Sequence, residues 1–96
     1  MQSKPAIKIL KNHKKDLYMH GVRSLSIFGS VATNKSKDKS DVDILIDFDS
    51  KKGLLAFISL KRYLEEILNC KVDLVTKNAL HPALKSRILS EAMNVF

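Results

Sequence analysis

A glycine–serine pair followed, ten residues later, by two aspartates constrains the fold of this chain more than any other feature. Residues 25–28 are of types that suit a half-buried strand, and this run ends where Gly29 allows a sharp turn. Because Gly29 lacks a Cβ, backbone N–H groups there can approach the oxygens of a phosphate, and the Ser30 hydroxyl adds a donor. The pair predicts a phosphate-binding turn at the exit of a strand.

The two aspartates lie at the start of a second predicted strand, residues 42–48. Side chains at alternate positions of a strand point to the same face, so Asp41 and Asp43 are expected side by side. Magnesium prefers oxygen ligands and usually binds through one or two carboxylates together with substrate phosphates. The aspartate pair therefore predicts a metal site that a nucleoside triphosphate completes.

These residues resemble the signature of the minimal nucleotidyltransferases of the DNA polymerase β superfamily, which is Gly-Ser, ten residues and Asp-x-Asp. The likeness extends through residues 26–32 and 40–48 and covers the chain from about residue 22 to its end. It implies the nucleotidyltransferase fold and a Mg²⁺-dependent transfer of AMP from ATP, with two metal ions at the site. In this resemblance Asp41 and Asp43 are catalytic metal ligands, and Gly29 and Ser30 bind the nucleotide.

A third catalytic carboxylate and metal ligand is expected on a later strand, and Asp73 is the candidate. It lies in the apolar run 71–75, and an acid in a core strand is costly unless it is paired or bound to metal. In the family such a residue completes the site for the metal that activates the acceptor hydroxyl. The alternative is an acid exposed to water at a strand end. Asp47 and Asp49 are interpreted as structural, although Asp47 shares the strand face of Asp43.

One segment departs from the family pattern. Members often carry Arg-Gly after the Gly-Ser-x-Ala segment, whereas this chain has Thr33 and Asn34. Such an arginine would support phosphates or the loop, so its absence bears on the rate and not on the metal ligands. Nearby lysines could supply the charge, but a solvated loop is the simpler interpretation; they are Lys35, Lys37 and Lys39.

Hydrophobic periodicity predicts helices around these strands. The first begins near Pro5 and ends by Gly21, the second runs from Gly53 to about Asn69, and the third starts at His81. Their predicted apolar sides are Ile7, Leu10, Leu17 and Tyr18; Leu54, Ile58, Leu64, Ile67 and Leu68; and Leu84, Ile88, Leu89 and Met93. A basic stripe on the first helix is interpreted as a solvated face; it comprises Lys4, Lys8, Lys11 and Lys15. Residues 1–96 are expected to form one α/β (α+β) domain, a small mixed β-sheet backed by helices.

Composition and charge limit the remaining classes of function. The net charge of +7 favours an anionic partner, which could be a nucleotide triphosphate, an acidic protein or a nucleic acid. Nucleic acid is not favoured, because the chain has two tyrosines, four phenylalanines, no tryptophan and no stacking motif. No apolar run is long enough to cross a membrane and no signal peptide is visible, so a cytoplasmic location is expected. The single Cys70 is interpreted as a small buried hydrophobe, and the three histidines as surface or capping residues.

The acceptor of the AMP group is expected to be another polypeptide, since 96 residues leave no room for the extra domains of larger relatives. The resemblance implies a HEPN-domain toxin modified on a tyrosine, with this chain as the antitoxin of a type VII-like toxin–antitoxin pair. Two alternatives stay open. One is an antitoxin that acts by contact with weak or no catalysis, and the other is a nucleotidyltransferase that acts on a nucleic acid or small molecule. A homodimer would be unsurprising if an apolar face is exposed.

Overall fold

The computed structural model of the chain describes residues 3–29 and 42–96. In chain order the described helices are α1 (Ser3–Asn12), α2 (Lys14–Met19), α3 (Gly53–Leu68) and α4 (Pro82–Glu91). The described strands are β1 (Val22–Phe28), β2 (Val42–Phe48), β3 (Val72–Thr76) and β4 (Met93–Asn94). Short 3-10 turns at Ser50–Lys52 and Lys77–Ala79 precede α3 and α4. Within these two ranges no helix has the length and apolar character needed to span a membrane.

The strands form one mixed sheet in the order β3-β2-β1-β4. β1 pairs antiparallel with β2 and β4, whereas β2 pairs parallel with β3. Parallel neighbours need a crossover connection, and α3 provides it between β2 and β3. The prediction of a small mixed sheet backed by helices is confirmed. Nothing in the sequence predicts β4, because two residues carry no periodicity.

One face of the sheet packs against the helices. Ile44 and Ile46 of β2 are fully buried in the same apolar cluster as Leu10 of α1 and Leu64 of α3. The positions that alternate with them, including Asp43, point to the opposite face of the sheet. Asp43 therefore lies on the face of the sheet that points away from α1 and α3.

The first helix is broken where the sequence predicts one continuous helix. α1 ends at Asn12 and α2 begins at Lys14. In an unbroken helix the His13 N–H would donate to the Ile9 carbonyl, but the His13 Nδ1–H donates to that oxygen over 2.9 Å. The His13 backbone N–H donates to the Leu10 carbonyl over 3.2 Å instead. A side chain has thus taken the acceptor that a continuous helix would have used.

Burial along this broken helix follows the prediction only in part. Leu10 and Leu17 are fully buried, as expected, and Ile7 packs against the core. Tyr18 is 47% exposed, so its predicted place on the core side is wrong. Its ring packs edge-on against the Phe96 ring, with centroids 5.3 Å apart. The basic stripe of α1 and α2 is exposed, as predicted.

The core side of α3 also differs from the predicted one. Leu64 and Leu68 are buried as expected, together with Leu60, but Leu54 is 73% and Ile58 41% exposed. A residue six positions before Leu60 lies roughly 120° around the helix from it. Leu54 therefore cannot face the sheet when Leu60 does, and the first two turns of α3 present apolar side chains to solvent.

α4 begins where the sequence predicts. The Ala83 N–H donates to His81 Nδ1 over 3.1 Å, and Pro82 occupies the first turn. The His81 ring thus caps the helix, in agreement with its interpretation as a capping residue. Proline suits this position because its missing N–H would have no partner within the helix.

The predicted apolar side of α4 is wrong in two respects. None of its side chains is buried, and Leu84 and Leu89 are 51% and 44% exposed. The helix ends at Glu91, and Met93 belongs to β4, where it pairs with Ile27. The apolar residues at positions 84–93 therefore belong to a short helix followed by a strand, and they do not form one apolar side that faces the core.

Candidate active site

Three of the predicted site residues, Gly29, Asp43 and Asp73, come together at one end of the sheet, where β1 ends and β2 and β3 begin. β1 ends at Phe28, where the antiparallel β2 begins with Asp43 opposite Phe28. β3 begins on the other side of β2 and runs parallel to it, with Asp73 opposite Asp43. Neighbouring strands lie about 4.8 Å apart, so the two carboxylates stand on adjacent strands at the same level. Gly29 follows directly after Phe28. Residues from three separate parts of the chain thus meet at this end.

Gly29 lies directly against the Asp43 carboxylate. Its φ is +71°, in the left-handed region that favours glycine. A Cβ at Gly29 would overlap Asp43 Oδ2 and would lie 3.2 Å from Asp43 Cγ. The bare backbone that the sequence assigns to phosphate binding therefore makes room for a carboxylate of the site as well.

Asp73 is exposed, which removes one of the arguments that singled it out. The sequence predicts Asp73 in a core strand, where an unpaired acid is costly, but an exposed carboxylate is solvated by water. Asp73 is connected with the site by its position opposite Asp43 in the register of β2 and β3. Two like charges directly opposite each other repel, and a hard cation held between them removes that repulsion. The donor set therefore fits a divalent cation.

The other predicted site residues, Ser30 and Asp41, lie outside the described residues. So do Thr33 and Asn34, where the chain departs from the family pattern, and the three lysines of that segment. In the part of the chain that the structure describes, no three or more His, Cys, Asp or Glu side chains are grouped closely enough to hold a metal ion. Asp41 as a metal ligand and Ser30 as a nucleotide-binding residue therefore stay predictions.

Asp49 has a structural role, as its position in a polar turn predicts. Its carboxylate accepts the Lys51 N–H over 3.1 Å at the start of the turn Ser50–Lys52 and lies 3.9 Å from Arg23 Nη2. Asp47 pairs with Ser24 at the other end of β2 from Asp43. Asp47 is four residue steps along the strand from Asp43, a distance of roughly 13 Å, so Asp47 lies apart from the carboxylate pair.

A depression of about 310 Å³ lies at the opposite end of the sheet, lined by Asp16, Met19, His20 and Tyr63. Met19 and His20 precede β1, whereas Gly29 follows it, so this depression is separate from the carboxylate pair. Tyr63 Oη donates to Asp16 Oδ2 over 3.1 Å, and the His20 ring lies 4.8 Å from the Tyr63 ring. Sequence reasoning missed this cluster, because Asp16 and Tyr63 are 47 residues apart and belong to no recognisable motif.

The pKa of Tyr63 is raised above its ordinary value of 10.0. Burial disfavours the phenolate most, followed by the hydrogen bond to Asp16 and the negative charges of Asp16 and Glu66. In a Tyr18→Phe background, where Tyr63 is the remaining tyrosine, we expect an absorbance titration midpoint above 10.0. Adding Asp16→Asn should lower that midpoint. An unchanged midpoint would contradict the assignment of Asp16 as a cause.

The same shift predicts how stability depends on pH. The folded chain holds the Tyr63 proton more tightly than the unfolded chain, so this contribution is complete below the unfolded pKa, at about 10. It is lost as pH rises through the higher pKa of the folded state. Urea midpoints should therefore fall less steeply above about pH 10 in Tyr63→Phe than in the wild type.

Comparisons with known proteins agree with the fold and with the sequence motif. The nucleotidyltransferase domain family matches residues 7–94 of the chain. The chain is 52% identical over 79 residues to a protein of Methanocaldococcus jannaschii provisionally named a protein adenylyltransferase, with 82% of this chain and 85% of that protein covered. It is 44% identical over 88 residues to protein adenylyltransferase MntA of Thermococcus cleftensis, with 91% and 89% covered.

Solved structures share the architecture. One that is provisionally assigned as a minimal nucleotidyltransferase superposes with a TM-score of 0.82 at 32% identity, covering 97% of this chain and 95% of that one. A toxin–antitoxin complex with AMP-PNP gives 0.71 at 20% identity, covering 100% and 73%. A tri-AMPylated Shewanella oneidensis HEPN toxin in complex with MNT antitoxin gives 0.67 at 18% identity, covering 94% and 71%. At such identities the two complexes show a common fold only.

The family match and the relatives extend over nearly the whole of the chain, including the strands that carry Asp43 and Asp73. Together they show that this chain belongs to the nucleotidyltransferase family, as one of its minimal members.

Proposed function

We propose that this chain transfers AMP from ATP to a hydroxyl acceptor in a Mg²⁺-dependent reaction. The acceptor in this proposal is a tyrosine of a HEPN-domain toxin, which makes the chain the antitoxin of the pair. The observation that carries the proposal is the alignment of Asp43 with Asp73 beside the Gly29 turn. In this proposal residues 1–96 form one nucleotidyltransferase domain, which acts in the cytoplasm.

The comparisons support both the nucleotide and the partner. Relatives at 52% and 44% identity are named as protein adenylyltransferases, one of them provisionally. Structural neighbours include a toxin–antitoxin complex with AMP-PNP and an AMPylated HEPN toxin bound to an MNT antitoxin. These names describe those proteins, and the likeness of this chain to them supports the same acceptor class here. The net charge of +7 suits both a triphosphate and an acidic protein surface.

The described carboxylates fit two divalent cations when Asp41 is added to them. Asp41 and Asp43 would hold the two ions, and Asp73 would complete the site of one of them. When bound, Mg²⁺ ions at such a site lower the pKa of an acceptor hydroxyl and neutralise the charge of the triphosphate. Because Mg²⁺ usually keeps substrate phosphates among its ligands, the nucleotide would complete the shell.

The protein's own residues contribute by holding the reacting groups in place. The paired strands hold the two described carboxylates at one level, which fixes their separation before substrate arrives. Gly29 leaves the space that the Asp43 carboxylate occupies, and Ser30 would donate its hydroxyl to a phosphate oxygen. Asp73 is exposed and so is open to an incoming hydroxyl. The acceptor oxygen bonds to the α-phosphorus as the bond to pyrophosphate breaks.

A transfer assay tests the proposal. The chain is incubated with Mg²⁺, α-labelled ATP and the protein encoded by the adjacent gene, which in this proposal is a HEPN-domain toxin, and the labelled residue is located by mass spectrometry. We expect AMP on a tyrosine of that partner, and no label with the double variant Asp41→Asn/Asp43→Asn. Absence of label with the wild type would favour an antitoxin that acts by contact. Label on a nucleic acid or small molecule would replace the acceptor in this proposal.

A further inference from the structure

The first two turns of α3 expose three large apolar side chains away from the sheet. Leu54, Leu55 and Ile58, here called the α3 patch, are 73%, 82% and 41% exposed. Leu54 and Ile58 are one helical turn apart, and Leu55 lies beside them, so the three form one continuous surface. Exposed apolar side chains are common singly, but a cluster of them marks a surface that binds another molecule.

Positive charge borders the α3 patch on both sides along the chain. Residues 50–62 contain four basic side chains and no acidic one. Lys51 and Lys52 precede the patch, Lys61 and Arg62 follow it, and all four are exposed. An apolar centre with a charged border is the usual plan of a protein interface. The complementary surface is apolar at its centre and carries carboxylates around it.

The α3 patch lies at the far end of the sheet from the carboxylate pair. The Asp49 N–H donates to the Gly21 carbonyl over 2.9 Å, which ties the turn before α3 to the start of β1. Asp43 and Gly29 are at the other end of the same strands, and Asp43 is roughly 20 Å from that turn along β2. A partner bound on the α3 patch therefore leaves Asp43 and Asp73 accessible.

We propose that the α3 patch is the docking surface for the acceptor protein, which binds it through an apolar surface bordered by carboxylates. This inference rests on the proposed function, because it takes the acceptor to be a protein. A second copy of the chain does not fit. A two-fold contact places the same patch on both sides, so the four cations of one copy would face those of the other.

Docking at a distance from the chemistry separates binding of the acceptor from transfer. Changes in the α3 patch should raise the KM for the acceptor protein and leave kcat at saturating acceptor unchanged. They should also leave the binding of ATP unchanged. Raised ionic strength should weaken docking, because the charged border is exposed.

The double variant Leu54→Glu/Leu55→Glu tests the docking surface. Both residues lie in the first turn of α3, where acidic side chains interact favourably with the helix N-terminus, so the variant should fold. Leu84→Glu/Leu89→Glu on α4 is the matched control, since these leucines are also large and exposed. Lys61→Glu/Arg62→Glu tests the charged border. Circular dichroism melting verifies the fold of each variant.

Calorimetry without nucleotide measures binding of the purified HEPN-domain protein. We expect the α3 variant and the charge-reversal variant to bind at least about tenfold more weakly than the wild type, and the α4 variant to bind as the wild type does. Equal binding by the α3 variant overturns the proposal. So does a wild-type chain that dimerises alone and becomes monomeric on Leu54→Glu/Leu55→Glu.

The two proposals fail in distinguishable ways. Tight binding by the wild type, lost in the α3 variant, with no AMP transferred supports the docking surface and contradicts the proposed function. Transfer by the wild type with an unchanged acceptor KM in the α3 variant supports the proposed function and contradicts the docking surface.

Discussion

Asp43→Asn is expected to abolish AMP transfer while leaving the fold intact. Asparagine keeps the size of the side chain but removes one of the two charges that face each other across β2 and β3. Loss of an electrostatic contact of this kind at an active site lowers kcat by at least about a hundredfold. Asp73→Asn should have an effect of the same order. The labelled-ATP assay at saturating partner measures both.

Stability provides a second and independent measurement for the same variant. Asp43 and Asp73 are register partners, so a cation held by both carboxylates should stabilise the folded chain. The melting temperature of each protein without Mg²⁺ serves as its own reference. Mg²⁺ with ATP should raise the melting temperature of the wild type more than that of the variant, because a ligand stabilises only the state that binds it.

Asp47→Asn is the matched control for this prediction. Asp47 lies on the same strand and the same sheet face as Asp43, but it pairs with Ser24 at the other end of β2. We expect it to retain both transfer and the Mg²⁺-dependent rise in melting temperature. An Asp47→Asn variant as inactive as Asp43→Asn would show that the site extends along β2 and would contradict the assignment.

Gly29→Ala should lose both stability and transfer. At φ +71° an alanine costs about 1–2 kcal/mol in backbone strain. Its Cβ would also overlap the Asp43 carboxylate, which must move out of line with Asp73. A displacement of about 1 Å at a reacting centre can reduce the rate about a hundredfold. Urea unfolding and the transfer assay measure the two losses separately.

Gly53→Ala distinguishes the effect of backbone strain from the effect of steric overlap with the Asp43 carboxylate. Gly53 also has a positive φ, +84°, but nothing lies within 4 Å of where its Cβ would be. We expect a loss of about 1–3 kcal/mol in stability and transfer comparable with the wild type. If Gly53→Ala and Gly29→Ala reduced transfer equally, general destabilisation would explain both, and the specific role of Gly29 beside Asp43 would be refuted.

The strands and the glycine turn could be predicted because their signals are local. The mostly apolar runs of β2 and β3 identify both strands, and a glycine, which adopts positive φ readily, marks the turn after β1. The motif spacing identified Asp41 and Asp43 as candidate metal ligands without information on how the strands pair. Asp41 and Ser30 rest on that spacing alone.

The helices were predicted less well, because the side of a helix that becomes buried depends on what packs against it. Apolar spacing allowed Leu54 and Ile58 on the core side of α3, but Leu60 faces the sheet instead and turns them to solvent. At the break, the His13 side chain donates a hydrogen bond to the Ile9 carbonyl. Neither outcome is encoded in residue spacing.

By itself, the sequence predicted the chemistry proposed for this protein, through a glycine turn and acids in apolar strands suited to a metal-bound triphosphate. Only the tertiary structure decided that Asp73 stands opposite Asp43, that Gly29 gives space to a carboxylate, and that the α3 patch faces solvent. The reason is physical. Strand register and helix orientation are set by contacts between residues far apart in the chain, and periodicity reports only the immediate neighbours of a residue.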